Sequence, residues 1–311
     1  MKNIYRILIV ASVVLLITGC NSIPDDLTGQ LAFSSSMEND GAYDIYYLNL
    51  PNTKEIQLTK TQGEQVENTW IDWAKNGRMV YASTRNGNYE IYLMDVGRKQ
   101  ETKLTENDFF DGYPTFNPEG NLIAFISEPE PLQKDIYLMD IESRKLKQLT
   151  KTPGAEAYLA WSPDGTRLAY AMYVKGYSEI FVYNLSTGES IQLTNNSRIE
   201  DINPGWSPDS KRIFFASDRE NNPDDGLQAK RYWIYSMNAT DGSDVKTIVQ
   251  DEKCTFGDPR VSPNGKYLCY CTKRIDKFWD RMYLEAMDLS NQKTYTLVKN
   301  DFYNRNPAWK P

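Results

Sequence analysis

The sequence predicts an all-β fold, a six-bladed β-propeller of four-stranded blades whose ring is closed by the C-terminal strand completing blade one. Three observations predict it. The pair Leu-Thr recurs at Leu58-Thr59, Leu104-Thr105, Leu149-Thr150 and Leu193-Thr194, at intervals of 44 to 46 residues. A second marker keeps phase with it at Ile45-Tyr46, Ile91-Tyr92, Ile136-Tyr137, Ile180-Phe181 and Ile234-Tyr235. A third places an aromatic or Val before a turn, in Phe116-Asn117-Pro118-Glu119-Gly120, Trp161-Ser162-Pro163-Asp164-Gly165, Trp206-Ser207-Pro208-Asp209-Ser210 and Val261-Ser262-Pro263-Asn264-Gly265. Trp73-Ala74-Lys75-Asn76-Gly77 is a degenerate copy. No segment sustains a 3.6-residue apolar period, so little helix is expected. A four-stranded unit of this length is a propeller blade, which buries its faces only against neighbouring blades.

Taken from the N-terminus, residues 1–19 stand apart from the repeat. Lys2 and Arg6 precede the apolar run Ile7 to Ile17, which is short for a bilayer span and has the layout of a secretory signal peptide. Ile17-Thr18-Gly19-Cys20 resembles the bacterial lipobox, which implies removal of residues 1–19 and lipidation of Cys20. The expected location is extracytoplasmic and membrane-anchored: outer membrane and periplasm in a Gram-negative cell, cell surface in a Gram-positive one. In Gram-negative lipoproteins an Asp after that cysteine signals inner-membrane retention; Asn21 stands here, pointing to the outer membrane where one exists. Residues 20–28 then read as a short tether reaching ~30 Å when extended, and residues 29–311 as the propeller.

Within each unit the aromatic ends an inner strand, and the Pro-Asp-Gly segment turns tightly into a second strand such as Leu122 to Ile126. A polar hairpin such as Arg85-Asn86-Gly87-Asn88 leads to the third strand, and the outer strand ends in Leu-Thr. The first unit lacks an inner strand, while the chain finishes with Asn306-Pro307-Ala308-Trp309, an inner strand with nothing after it. Ring closure gives blades at 29–59 with 304–311, then 66–105, 110–150, 155–194, 200–249 and 255–298.

Composition narrows the chemistry. No histidine occurs, which removes a Ser-His-Asp triad, a Cys-His pair and any His-ligated metal. Net charge is −7, and loss of Lys2 and Arg6 makes the mature chain more acidic, which disfavours nucleic acid as a partner. Cys269 and Cys271 fall where blade four has Ala169 and Ala171 and read as buried replacements for them. Spacing leaves open a disulfide from Cys254 to one of the two.

The candidate binding residues stand at the start of the inner strands, expected at the mouth of the central channel. Asn304, Asn68, Asp111, Glu156, Asp201 and Phe256 share one level, and Asn306, Trp70, Tyr113, Tyr158, Asn203 and Asp258 follow two positions later. Three carboxylates with carboxamides between them would form an oxygen-lined cavity suited to Ca²⁺ or to a basic side chain from a partner. The alternative is that they pair with neighbouring blades. Asp111, Glu156 and Asp201 are also the candidates for glycosidase chemistry, which requires a carboxylate pair at about 5 to 9.5 Å. On the same face lie the long hairpin 219–230, the stiffened loop Glu128-Pro129-Glu130-Pro131 and the aromatic pair Phe278-Trp279. Trp73, Trp161, Trp206 and Trp309 repeat in phase and are expected between blades.

Repeats of Trp-Ser-Pro-Asp-Gly, Ser-Thr-Arg-Asn-Gly or Ser-Asp-Arg, Glu-Ile-Tyr and Leu-Thr resemble the WD-repeat-like units of the TolB propeller, with close matches at Thr166 to Tyr170, Ser83 to Tyr92 and Ser217 to Arg219. The resemblance covers the mature chain and implies the fold; function it specifies less. TolB itself adds an N-terminal α/β domain for which Cys20 to Gly29 leaves no room. Peptidases with this propeller add a hydrolase domain, yet no G-x-S-x-G elbow is present, and oligogalacturonate lyases bind metal through histidines. The expectation is a non-catalytic, monomeric scaffold binding envelope proteins, working with peptidoglycan-associated or transport components as TolB-type propellers do. The alternative is a module binding a small ligand, a sugar or Ca²⁺.

Overall fold

Each repeat of the sequence becomes one four-stranded antiparallel sheet in the computed structural model, which describes residues 22–36, 41–60, 65–196, 198–221, 230–276 and 281–311. Blade one holds β1 (Gly29–Ser35), β2 (Asp44–Leu50) and β3 (Asn52–Gln57). Blade two is β4 (Asn68–Trp73), β5 (Arg78–Ser83), β6 (Glu90–Asp95) and β7 (Gln100–Lys103). Blade three is β8 (Asp111–Phe116), β9 (Leu122–Glu130), β10 (Gln133–Asp140) and β11 (Leu146–Gln148). Blade four is β12 (Glu156–Trp161), β13 (Arg167–Val174), β14 (Tyr177–Asn184) and β15 (Glu189–Gln192). Blade five is β16 (Asp201–Trp206), β17 (Arg212–Ser217), β18 (Trp233–Asn238) and β19 (Lys246–Val249). Blade six is β20 (Cys254–Val261), β21 (Tyr267–Arg274), β22 (Tyr283–Asp288) and β23 (Thr294–Val298). The last strand, β24 (Asn304–Trp309), pairs with β1 through Leu31↔Trp309, Ala32↔Ala308 and Ser35↔Asn304, so the ring closes as the sequence predicts. No helix occurs among the described residues.

The repeated motifs have separate physical tasks. The Ile of each Ile-Tyr marker is fully buried between blades, a burial that stabilises by about 1.5–3 kcal/mol per side chain. In the turns, Ser162 Oγ accepts the Arg167 N–H at 2.9 Å, and Ser207 and Ser262 do the same for Arg212 and Tyr267. The fifth turn residue takes a left-handed φ near +71 to +76° at Gly120, Gly165 and Gly265; Ser210 adopts +58° where blade five lacks the glycine. Of the in-phase tryptophans, Trp73, Trp206 and Trp309 are buried and Trp161 is half-buried. The Trp206 and Trp309 indoles donate across to the Ala160 and Arg260 carbonyls at 3.1 Å, stitching each blade to the one before it.

Cys269 and Cys271 are buried, as are Ala169 and Ala171 in blade four. All three described cysteines are free thiols. Register closes the disulfide question: Cys254 faces Arg274 while Cys271 faces Gly257, three residues further along β20. Three steps along a strand are ~10 Å, beyond the Cα separation a disulfide spans.

Candidate functional site

Six inner strands, β24, β4, β8, β12, β16 and β20, surround the channel. Each carries a β-bulge, between Thr69 and Asp72 in β4 for example, at which two residues face one on the second strand. The first bulge residue is left-handed in every blade: Trp70, Tyr113, Tyr158, Asn203, Asp258 and Asn306 have φ of +50 to +56°. Six non-glycine residues in that region are held there by the closed ring. The bulge breaks the alternation of a regular strand, so the two expected rings of candidate residues part company.

The first ring is structural. Asn68, Asp111, Glu156, Asp201 and Asn304 are fully buried at five separate blade junctions and do not meet in one cavity. The Asn68 amide donates to the Tyr43 carbonyl at 3.0 Å and to Asp44 at 3.2 Å. Asp111 accepts from Asn107 at 2.8 Å, Glu156 from Thr150 and Thr152 at 2.8 and 3.1 Å, and Asp201 from Arg219 and Asn196 at 3.2 and 3.1 Å. The Asn304 amide donates to the Met282 carbonyl and the Asn300 side chain. Phe256 packs on Tyr270. The oxygen-lined mouth expected from the sequence is therefore corrected to a set of inter-blade ties. Among the described residues no group of three or more Asp, Glu or Cys side chains could hold a metal ion. Burial raises the carboxyl of Asp111 above its ordinary range and pushes that of Glu156 up to about 7, with Asp135 adding to the latter.

The second ring closes the channel. Trp70 lies 4.1 Å from Tyr113, and Tyr113 lies 5.1 Å from Tyr158 edge-on, forming an aromatic half. Opposite them Asp258 gathers Asn203 and both the backbone N–H and side-chain amide of Asn306, the last two at 3.1 and 3.2 Å. Cys271 Sγ also lies 3.6 Å from this carboxylate. The space left among them is about 30 Å³, the share of a single water molecule in the liquid.

Two faces result. The hairpin face, at the starts of the inner strands, is framed by satisfied pairs: Tyr89 donates to Glu67 at 2.6 Å, Arg305 pairs with Glu67 at 2.7 Å, and Tyr232 donates to Glu200 at 2.5 Å. Among the described hairpins, β9–β10 and β13–β14 of neighbouring blades run longer than β5–β6, with strands of eight or nine residues against six. They hold Leu132 at 87% and Tyr173 at 52% exposure. Residues 222–229 of the blade-five hairpin, Phe278, Trp279 and Cys20 lie outside the described residues.

The opposite turn face carries a feature that the sequence reading did not anticipate. Two adjoining hollows of about 240 and 510 Å³ share Ile71, Asp72, Lys75, Pro163, Trp206 and Arg260. The inter-blade tryptophans thus also wall a funnel. Arg260 lines both hollows and the closed centre. Asp72 accepts from the Thr115 hydroxyl and the Phe116 N–H at 2.9 and 2.7 Å, while burial raises its carboxyl. A further cleft of about 520 Å³ between blades one and two is lined by Lys60, Lys99 and the pair of Arg85 with Glu101 at 2.7 Å.

Comparison with known proteins follows the fold. The TolB beta propeller domain family (PD40) matches residues 129–311. The Protein TolB homolog of Chlorobium chlorochromatii (strain CaD3) is 30% identical over 105 residues, 31% of this chain and 24% of that protein. The matched segments span only 29% and 24% of the curated relatives' lengths. TolB from Acinetobacter baumannii superposes with a TM-score of 0.75 at 21% identity, over 93% of this chain and 68% of that one. An oligogalacturonate lyase in complex with manganese gives 0.53 at 15% identity, over 87% and 74%. At such identities the structural likenesses show the fold alone. The WD-repeat likeness of the motifs finds no separate support.

Proposed function

The chain belongs to the TolB β-propeller family, and from that premise we propose that it is a lipid-anchored scaffold of the cell envelope which holds a protein partner and catalyses no reaction. Residues 1–19 act as the signal peptide in this reading, and Cys20 carries the lipid. Among the described residues no helix is long and apolar enough to cross a membrane. The observation that carries the reading is the unequal hairpin face. Blades three and four expose Leu132 and Tyr173 on this face, and exposed apolar and aromatic side chains serve as anchors in protein interfaces.

The test is capture from solubilised envelope with residues 21–311 as bait, beside a Leu132→Asp, Tyr173→Ser variant of matched thermal stability. One protein held by the parent and lost by the variant supports the reading. Capture by neither, across detergents and with or without calcium, overturns it.

A second reading rests on the funnel. The 510 Å³ hollow is within the size range of small-molecule sites, and Arg260 offers a charge at its floor. A free sugar or calcium that raises the melting temperature of the parent, but not of Arg260→Ala, would favour ligand binding.

A further inference from the structure

We infer that the N-terminal segment fixes how the propeller stands on a membrane: the blade six–blade one edge of the turn face lies against the lipid surface, and the hairpins of blades three and four point away. The inference rests on the proposed lipid at Cys20. What it adds is a direction, and that direction comes from residues 22–28.

The sequence reads residues 20–28 as a short tether, and residues 22–28 of it are docked on the propeller. Leu27 is fully buried in the core shared by blades six and one, with Tyr267, Leu284, Tyr295 and Trp309, and Ile23 packs on the same cluster. The Leu27 N–H donates to the Pro24 carbonyl at 3.0 Å, closing a turn. Asp26 accepts from Tyr267 Oη at 2.5 Å and from Lys266 Nζ. Lys266 directly follows the Pro263-Asn264-Gly265 turn, so the clasp sits at the edge of the turn face.

Reach then sets the orientation. Asp26 is six chain steps from Cys20, at most ~20 Å, and Ile23 only three, ~10 Å. A six-residue inner strand is itself ~20 Å long, so the hairpin face stands a full strand further from the anchor. In a ring of six, blades three and four lie opposite blades six and one. Leu132 and Tyr173 therefore occupy the corner furthest from the lipid, both across the ring and along the channel. A partner surface placed there stays open while the protein is anchored.

The test uses the full chain carrying its lipid, in phosphatidylethanolamine–phosphatidylglycerol vesicles containing a nitroxide-headgroup lipid. A fluorophore is attached at Lys293→Cys, on the blade-six edge of the turn face, or at Leu132→Cys, each with Cys254→Ser. The expected result is several-fold stronger quenching at 293 than at 132. That ratio should fall towards one in Asp26→Ala, Leu27→Ala, and part of the way in Asp26→Ala alone, which leaves the buried Leu27 intact. Equal quenching at the two positions of the vesicle-bound parent, or stronger quenching at 132, overturns the inference while leaving the anchor standing. If the parent floats with vesicles no better than Cys20→Ser, the anchoring reading fails and the inference with it.

Discussion

The hydroxyl of Thr194 donates to the buried carboxylate of Glu179 at 2.6 Å while accepting the backbone N–H of Ile180 at 2.9 Å. Thr105 stands in the same relation to Glu90 and Ile91, and Thr59 to Asp44 and Ile45. This clasp is why Leu-Thr and the acid-Ile-Tyr marker keep phase: one residue fastens the outer strand to the third strand of its own blade. Thr194→Val keeps the shape and removes the hydroxyl, leaving a buried carboxylate and an N–H short of partners. The expected cost is about 1–3 kcal/mol in denaturant unfolding. An unchanged midpoint would show that the clasp contributes nothing.

Glu156 should make stability depend on pH. Its carboxyl, pushed up to about 7 by burial and by Asp135, holds a proton in the folded chain that the unfolded chain releases near its ordinary value of 4.5. The folded state therefore binds more protons between those values, and stability falls as pH rises from about 4.5 to 7. Above 7 the penalty is complete. Glu156→Gln should gain about 1–3 kcal/mol at pH 8 and flatten that part of the profile, measured by urea unfolding across the range.

Asp258 is the tie across the polar half of the channel plug. Asp258→Ala leaves the Asn203 and Asn306 amides without their acceptor in a nearly closed space, for an expected loss of about 2–4 kcal/mol. Asp258→Asn, which retains one acceptor oxygen, should lose less. Thermal unfolding of the pair would decide whether the carboxylate or merely its volume matters.

Oxidation should leave the three propeller cysteines unpaired. Burial raises the thiols of Cys269 and Cys271 far above their ordinary range, and that of Cys254 to about 11. Mild oxidant followed by alkylation should give modification of Cys254 alone in the folded chain and of all three after denaturation. A Cys254–Cys271 crosslink found by mass spectrometry would contradict the register of β20 and β21.

The blades were legible because their markers are the residues that make the blade: the clasping Thr, the buried Ile, the turn Ser and the crossing Trp. Predicted and observed blade limits differ by at most two residues for that reason. The channel was less so. Reading Asp111 and Tyr113 as two levels of one mouth assumes an unbroken strand, and the bulge between them sends the carboxylate into a blade junction and the ring into the channel. A signal for the bulge was present: Pro114, Pro204, Pro259 and Pro307 follow the left-handed residue in four of six blades, where no ladder N–H is required. The funnel was missed for another reason. Its walls are the same tryptophans and prolines that serve the packing, and composition cannot separate the two duties.

Closure by β24 has a consequence for the order in which the molecule can come into being. Lys310 and Gln30, which bond at 2.9 Å, lie 280 residues apart, so a chain made or exported from its N-terminus waits for nearly its whole length before blade one is finished. Until then β1 is a sheet edge open to any other strand. The seam is thus both the last step of assembly and the point at which an incomplete chain would be caught pairing with a neighbour.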